Sequence, residues 1–573
     1  MTRSLRSCLE YEPVELKFGT SGRRGNVIDL TQLEIYINAL AELEYLQSLD
    51  PAEGGIVWGE PFYFAYDLRP SSSRYVESQG GRGEIVQAVV RAIAGAGMQP
   101  VNLGRIPTPA LACYAIARRK GSIMVTGSHI PFERNGYKTN TSRGELLKKD
   151  EAPVNERVSS VRAALYGQDF SASLFNRQGL FKAGHGELPP EDAGARRAYI
   201  DRYTEFFRGR SLKGMRLLCY QHSAVGRDIL VEILERLGAQ VIPAGRSDTF
   251  VPIDTENIDD EQLAIIQDLA REARAPHGRL HAVVSMDGDS DRPLLLGVDP
   301  QSGRVRFFGG DLLGMVAAEF LRADAVVVPI SCNDGIDRGS LRAMLEPKTR
   351  IGSPYVIEGM EKARAKGKRA ICGWEANGGF LTGSNFELDG NGLAALPTRD
   401  AVLPLLCALS AAVEGKQTVN DVFARLPRRF SRAALLRQFP RPRALEMTRC
   451  FSPADERVKE AAFDNERLIL RDESGAEIEA AAGQARELAD IRVRLERVFS
   501  AERGFPEIER LNYVDGVRIL FRNGDVAHVR PSGNADELRI YAAAGTQDRA
   551  DEIARAGVAE PAGLLRLLEQ SID

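Results

Sequence analysis

The sequence predicts an α/β protein of several domains, and three observations predict it. The chain has 573 residues, too long for one core and enough for about three to five domains at roughly 100 to 200 residues each. Short apolar runs alternate with amphipathic stretches through the first three quarters, the order that builds sheets of largely parallel strands covered by helices. Each of three such units ends a strand in a loop rich in glycine, hydroxyls, carboxylates or amides. The last quarter is strand-rich around Gly516–Leu520 and Val526–Val529 and closes in helices.

Composition narrows the function. Hydrophobic content of 43% and charged content of 27% describe a globular protein. A net charge of −4 gives no bulk basic face for nucleic acid, while leaving room for local anion sites. The seven cysteines are odd in number, scattered and without a C-x-x-C pair, as expected of reduced thiols in the cytoplasm. No apolar run approaches a membrane span, and Met1-Thr2-Arg3-Ser4 is not followed by the apolar core of a secretory signal.

In chain order, Lys17 to Gly25 combines glycines, hydroxyls and the paired Arg23 and Arg24. Such a loop can offer backbone N–H groups and guanidinium forks to a phosphate, though by itself it reads first as a plain turn. Phe62–Tyr66 reads as a strand leading into Asp67-Leu68-Arg69-Pro70-Ser71-Ser72, Glu84–Ala96 as a helix, Pro100–Leu103 as a strand and Pro109–Arg118 as a helix. The apolar run Ile123–Val125 then opens into Thr126-Gly127-Ser128-His129-Ile130-Pro131, with Asn135-Gly136-Tyr137-Lys138 behind it. Gly127 permits a tight backbone there. Hydroxyl, imidazole and ammonium together can accept, hold and pass on a phosphoryl group; a turn with a capping serine also satisfies these residues.

Ala198–Phe207 reads as a connecting helix. A second unit opens with the strand Met215–Tyr220, followed by the helix Gly226–Leu237 with its stripe of Ile229, Leu230, Ile233 and Leu237. Glu261–Ala273 is a further helix, and the strand His281–Met286 feeds Asp287-Gly288-Asp289-Ser290-Asp291-Arg292. In extended geometry residues i, i+2 and i+4 share a side, so three carboxylates converge on one cation. Oxygen ligands suit Mg²⁺, with Ca²⁺ and Mn²⁺ as competitors. An EF-hand is excluded: its sixth position, a glycine, is Arg292 here, and its last, a glutamate, is Val298.

A third unit has a helix near Asp311–Leu321 and strands at Ala325–Ile330 and Ala370–Gly373, the latter opening into Trp374-Glu375-Ala376-Asn377-Gly378-Gly379. A carboxylate and an amide two residues apart can bind vicinal sugar hydroxyls, and equally can form a plain turn. The Pro/Arg-rich stretch Leu426–Arg443 reads as a linker. Finally Arg530-Pro531-Ser532-Gly533-Asn534, with Arg539 beyond it, puts two guanidinium groups around a small polar loop, a cradle for a dianionic phosphate or the tip of a basic hairpin.

Taken in this order, these motifs resemble those of the α-D-phosphohexomutase superfamily, which contains phosphoglucomutases and phosphomannomutases; the resemblance spans nearly the whole chain. It implies three similar α/β domains with mixed, mostly parallel sheets and a C-terminal α+β domain around a central cleft, with boundaries at 1–207, 208–303, 304–425 and 440–573. It implies an isomerase that interconverts hexose 6-phosphate and hexose 1-phosphate through a phosphoserine at Ser128 and a hexose 1,6-bisphosphate intermediate, as a monomer or homodimer. Mg²⁺ would sit on the Ser128 phosphate and on Asp287, Asp289 and Asp291. Arg24 and Lys138 would hold the transferring group, and His129 or Lys138 would move a proton. Glu375 and Asn377 look like readers of the sugar hydroxyls. Arg292, Arg530, Ser532, Gly533, Asn534 and Arg539 look like substrate contacts, helped by the turn at Gly352 and Ser353. Three loops depart from the family pattern: T-A-S-H-N-P carries Gly127 and Ile130, E-x-S-G carries Asn377, and S-G-T-E-P reads Ser532-Gly533-Asn534-Ala535-Asp536. The rival readings are a metal-dependent phosphatase with an aspartyl nucleophile and a non-catalytic sugar-phosphate sensor. The resemblance ranks mannose and glucose phosphates first and leaves amino sugars open.

Overall fold

The computed structural model describes residues 3–19, 22–256, 258–464, 467–532 and 536–572. They form two compact units, Met1–Arg322 with Asn377–Phe423, and Ala323–Ala376 with Ala424–Asp573.

In the first unit the strands Gln99–Asn102, Pro61–Tyr66 and Ser122–Val125 run parallel. Arg134–Thr141 folds back antiparallel on Ser122–Val125, and Arg23–Asn26 adds antiparallel to its other edge. This return places two basic side chains. Lys138 pairs with Met124, just before the Ser128 loop, and Arg24 pairs with Gly136. Helices Gln32–Ser48, Ile85–Gly95, Thr108–Ala117 and Glu151–Gly167 belong to this part. The first is capped by Thr31, whose hydroxyl accepts the Glu34 N–H at 3.1 Å. Ile85–Gly95 buries Ile85, Val86, Val89 and Ile93 on one stripe.

A second sheet repeats the plan. Gln240–Arg246, Arg216–His222 and Ala282–Met286 are parallel, and Pro293–Val298 then Val305–Phe308 continue antiparallel. The sheets are mixed, with a three-stranded parallel part flanked by antiparallel strands. A short turn can reach only an antiparallel neighbour, and short turns are what carry the functional loops. The unit also contains the antiparallel pair Phe380–Thr382 and Leu396–Asp400, and the helices Gly310–Phe320 and Val402–Glu414.

The second unit contains the parallel pair Ala325–Val327 and Ile371–Trp374 with the helix Ser353–Ala365. Its main sheet is antiparallel and eight-stranded, in the order Phe430–Arg437, Glu537–Ala544, Val526–Pro531, Val517–Phe521, Ile508–Asn512, Glu460–Asp464, Arg467–Arg471 and Glu477–Ile478. A core from Leu436 to Leu568, including Phe499, Phe521 and Leu565, packs it against helices.

The expected linker Leu426–Arg443 is corrected here. Phe430–Arg437 is a strand paired along its length with Glu537–Ala544, and Arg441 opens a helix to Cys450. The prolines that suggested a linker, Pro427, Pro440 and Pro442, all fall outside the strand. Its arginines decorate a sheet edge, where charge is commonly placed.

Candidate functional site

Ser128 stands on the loop after Ser122–Val125, and short hydrogen bonds fix its backbone. The Thr126 hydroxyl donates to Asp67 Oδ2 at 2.8 Å and accepts the Ser128 N–H at 2.7 Å. Ser128 itself takes the left-handed conformation, with φ of +54°, a conformation that a non-glycine residue keeps only where its surroundings over-determine it. The tight backbone expected of Gly127 therefore belongs to Ser128. Gly127 contributes by lacking a side chain, since a Cβ there would lie 2.7 Å from Arg69 Nε. Ser128 Oγ donates to Asp287 Oδ2 at 2.8 Å, and His129 Nδ1 lies 3.4 Å from the same hydroxyl.

The acidic loop joins two antiparallel strands, Ala282–Met286 and Pro293–Val298. Its carboxylates converge because the loop is tightly turned, not because it is extended as the alternation suggested. The Asp287 N–H donates to Arg292 O and the Ser290 N–H to Asp287 O, each at 3.0 Å, and Ser290 has φ of +60°. Asp287 Oδ1 accepts the N–H groups of Asp291 and Arg292, both at 3.1 Å. One oxygen from each of Asp287, Asp289 and Asp291 lies within 4.8 Å of the others, and all three residues are buried.

Three buried carboxylates in contact are tolerable only with cations beside them. Lys138 Nζ donates to Asp289 Oδ2 and Asp291 Oδ2, each at 2.8 Å. Thr108 Oγ1 donates to Asp289 Oδ2 at 2.6 Å, and Arg399 grips Asp291 Oδ2 through Nε at 3.0 Å and Nη2 at 2.8 Å. The acids separate electrostatically as a result. Burial, then Asp289 and Asp291, push the Asp287 carboxyl well above its ordinary range. Burial also acts to raise Asp289 and Asp291, but Lys138 and Thr108 on the first, and Arg399 and Lys138 on the second, outweigh it and hold both below the usual value. The donor set fits a hard divalent cation. It is all oxygen, convergent and anionic, and the outer oxygens Asp289 Oδ1 and Asp291 Oδ1 are buried without a hydrogen-bond partner.

Two further expected cations lie near this cluster. Arg292 Nε is 3.7 Å from Asp291 Oδ1 and 3.9 Å from Asp287 Oδ2. Burial, then Arg292, lower the Arg24 guanidinium to about 10, with Asp289 pulling the other way. In contrast, Arg23 is structural: it is buried on Glu42 at 2.6 Å with its guanidinium 3.8 Å above the Phe18 ring. Asn377, also in the first unit, is buried and serves its own turn, its Oδ1 accepting the Gly379 N–H at 3.0 Å.

The second unit carries the remaining candidates. Asp515 joins two of them. Its Oδ1 accepts from Arg530 Nε at 3.1 Å, and its Oδ2 accepts the Ile351 N–H at 3.0 Å. Ile351 immediately precedes Gly352, at φ of +131°, and the first turn of the helix Ser353–Ala365. Arg539 pairs with Arg530 across the neighbouring strands. Ser532 is buried, its N–H donating to Glu537 O at 2.9 Å, and Glu375 is buried at the end of its strand. Gly533 and Asn534 lie outside the described residues.

Sequence reasoning missed Arg69, Thr108, Arg399 and Asp515. Only Arg69 carried a local signal, the Asp67-Leu68-Arg69-Pro70-Ser71-Ser72 run at a strand end; Thr108 and Arg399 act on partners more than a hundred positions away, and Asp515 on Arg530 two strands on.

Comparison with known proteins agrees with this geometry. Residues 15–163 match the phosphoglucomutase/phosphomannomutase alpha/beta/alpha domain I, residues 309–430 match domain III, and residues 468–559 match the C-terminal domain. A phosphomannomutase of Sinorhizobium fredii is 36% identical over 545 residues, covering 95% of this chain and 98% of that one. One from Salmonella muenchen is 33% identical over 547 residues, covering 94% of each. The crystal structure of Aspergillus fumigatus N-acetylphosphoglucosamine mutase, in complex with GlcNAc-6P and magnesium, shares the fold with a TM-score of 0.52 at 14% identity, covering 100% of this chain and 99% of that one. The mutase motifs, their order and a relative matched along almost its whole length lead to one assignment: the chain belongs to the phosphoglucomutase/phosphomannomutase family of the α-D-phosphohexomutases and is a mutase enzyme.

Proposed function

We infer that the protein interconverts the 6-phosphate and 1-phosphate of mannose, glucose or both, using Ser128 as a phosphoryl carrier. The observation that carries this reading is the Ser128 hydroxyl donating at 2.8 Å to Asp287, one of three acids whose ligand oxygens share a 4.8 Å space. Phosphoserine 128 gives its phosphoryl group to a free hydroxyl of a hexose monophosphate; the bisphosphate reorients, and its other phosphate returns to Ser128. Positioning and charge compensation do most of the work in such a transfer.

Asp287, Asp289 and Asp291, with an oxygen of the Ser128 phosphate, would hold Mg²⁺, which when bound draws negative charge off the departing serine oxygen. Arg24 and Arg292 steady the transferring group. Lys138 is committed to two carboxylates in this arrangement, so proton transfer falls to His129, 3.4 Å from the hydroxyl. Arg530, Arg539, Ser532 and the first turn at Gly352 and Ser353 grip the phosphate that is not reacting, with Gly533 and Asn534 as further contacts. Glu375 and Asn377 read sugar hydroxyls. Names of the two relatives support mannose phosphate first, and the Aspergillus protein keeps amino sugars on the panel. Seven free thiols support a cytoplasmic setting, and a monomer or homodimer is the expected assembly.

The test is turnover of mannose 1-phosphate, glucose 1-phosphate and glucosamine 1-phosphate with Mg²⁺ and a trace of bisphosphate. Ser128→Ala should lose on the order of 10⁴-fold or more in kcat, and intact mass should show one phosphoryl group on the wild type alone. A Ser128→Ala variant with near-normal turnover refutes the carrier role. Release of free phosphate in place of isomerisation would point to a phosphatase.

A further inference from the structure

One guanidinium holds the Ser128 loop from behind. Arg69 is fully buried. Its Nη1 donates to the carbonyls of Pro131 at 2.7 Å and Arg134 at 2.9 Å, and its Nη2 to those of Ser128 at 3.1 Å and Ile130 at 2.8 Å. The guanidinium lies 3.8 Å above the Phe250 ring, and the Arg69 N–H donates to Asp67 Oδ1 at 3.0 Å. Asp67 also receives the Thr126 hydroxyl, which in turn accepts the Ser128 N–H. Arg69 and Asp67 thus control both ends of the Ser128 peptide, its carbonyl directly and its N–H through Thr126.

Four carbonyl oxygens drawn toward one point repel one another unless a multivalent donor sits there. A planar guanidinium can serve two pairs of acceptors from one position; an ammonium with three donors on a flexible stem cannot. The close approach at Gly127 shows how little slack remains, and Ser128 at φ of +54° would otherwise relax toward a commoner conformation.

We propose that Arg69 is a positioning residue for phosphoryl transfer: without touching the substrate, it fixes where Ser128 Oγ stands relative to Asp287. The proposal rests on reading Ser128 as the phosphoryl carrier. A displacement of about 1 Å at a reacting atom costs about 100-fold in rate, so the chemical step should feel the loss of Arg69 far more than binding does.

The experiment compares wild type with Arg69→Ala and Arg69→Lys. It measures kcat and KM for mannose 1-phosphate with Mg²⁺, with and without added methylguanidinium at a non-denaturing concentration, and hydrogen exchange of backbone amides over residues 126–134. Arg69→Ala should lose about 100-fold in kcat with KM nearly unchanged, regain about tenfold with methylguanidinium, and exchange faster across the loop. Arg69→Lys should fall between wild type and Arg69→Ala, with no gain from methylguanidinium. If Arg69→Ala fails to fold, Arg69→Lys decides: wild-type kcat and exchange in that variant overturn the proposal. So does a folded Arg69→Ala whose loss appears in KM, or whose loop exchanges as in the wild type. Hydrogen exchange does not depend on the substrate, so a wild type inactive on every sugar phosphate would refute the carrier reading and leave the loop result interpretable.

Discussion

The cluster around Ser128 and the basic corner around Arg530 are both strongly charged, and they are built differently. Around Ser128, three buried aspartates are matched by Lys138, Arg399 and Arg292, so charge is compensated before any ligand arrives. Around Arg530 a single carboxylate, Asp515, orients one guanidinium and the backbone ahead of the helix Ser353–Ala365, and the arginine keeps 13% of its side chain exposed. The first arrangement suits bond breaking, where each charge must stand in place in advance. The second suits grip, where a partly exposed fork can take and release a phosphate.

The widest break in this contrast should come from Lys138→Met. It leaves Asp289 and Asp291 without their shared cation, and losing one partner of a buried ion pair costs about 3–5 kcal/mol. Urea unfolding in chelator should show that loss, and Mg²⁺ should restore part of it. Unchanged stability would mean that the cluster is not charge-compensated as described. Arg530→Met should act on binding: KM should rise about 10- to 100-fold, the worth of a hydrogen bond to a charged group, while kcat changes less. A fall confined to kcat would move Arg530 out of the grip and into the chemistry.

Acidification probes both regions at once, because each rests on a buried neutral histidine. His222 Nε2 donates to Met286 O at 2.7 Å, at the root of the acidic loop, and His528 Nε2 donates to Asp515 O at 2.6 Å. Burial lowers each from an ordinary 6.5 to about 4, against the opposing pull of those backbone bonds. Between pH 6.5 and 4 each of these histidines binds a proton in the unfolded chain that the native fold refuses, so its contribution to stability falls with falling pH across that window. At pH 5 the loss is about 2 kcal/mol per histidine. His528→Gln should remove its share of the dependence of the urea midpoint on pH between 6.5 and 4, and an unaltered slope would contradict the assignment. The smallest effect belongs to Asp515→Asn, which keeps one acceptor for Arg530 and should raise KM about fivefold, the worth of about 1 kcal/mol. No change would mean that Arg530 needs no orienting partner.

What the sequence made legible follows from locality. Ser128, His129 and the three aspartates are short motifs after apolar runs, and both loops fall where those runs predict strand ends. Their convergence was anticipated for an incomplete reason, since the turn with Ser290 in the left-handed region, not strand alternation, aims the acids. The strand-end run around Arg69 marked a loop but not its partners, and Thr108 and Arg399 carried no local mark at all. The roles of these three consist of contacts to residues 59, 181 and 108 positions away, and nothing in a local window marks an arginine as the one that will meet Asp291. The opposite error came from composition: prolines and arginines around Phe430–Arg437 imitate a connector, whereas the eight residues between them pair along a whole strand.

That strand has a practical consequence for cutting the protein into pieces. A C-terminal fragment begun at residue 440 would leave Glu537–Ala544 with a bare row of amides and carbonyls, an invitation to self-association. A fragment that starts ahead of Phe430 keeps Glu537–Ala544 paired and leaves the arginine-bearing strand Phe430–Arg437 as the outer one, and is the one to express when the Arg530 region is studied alone.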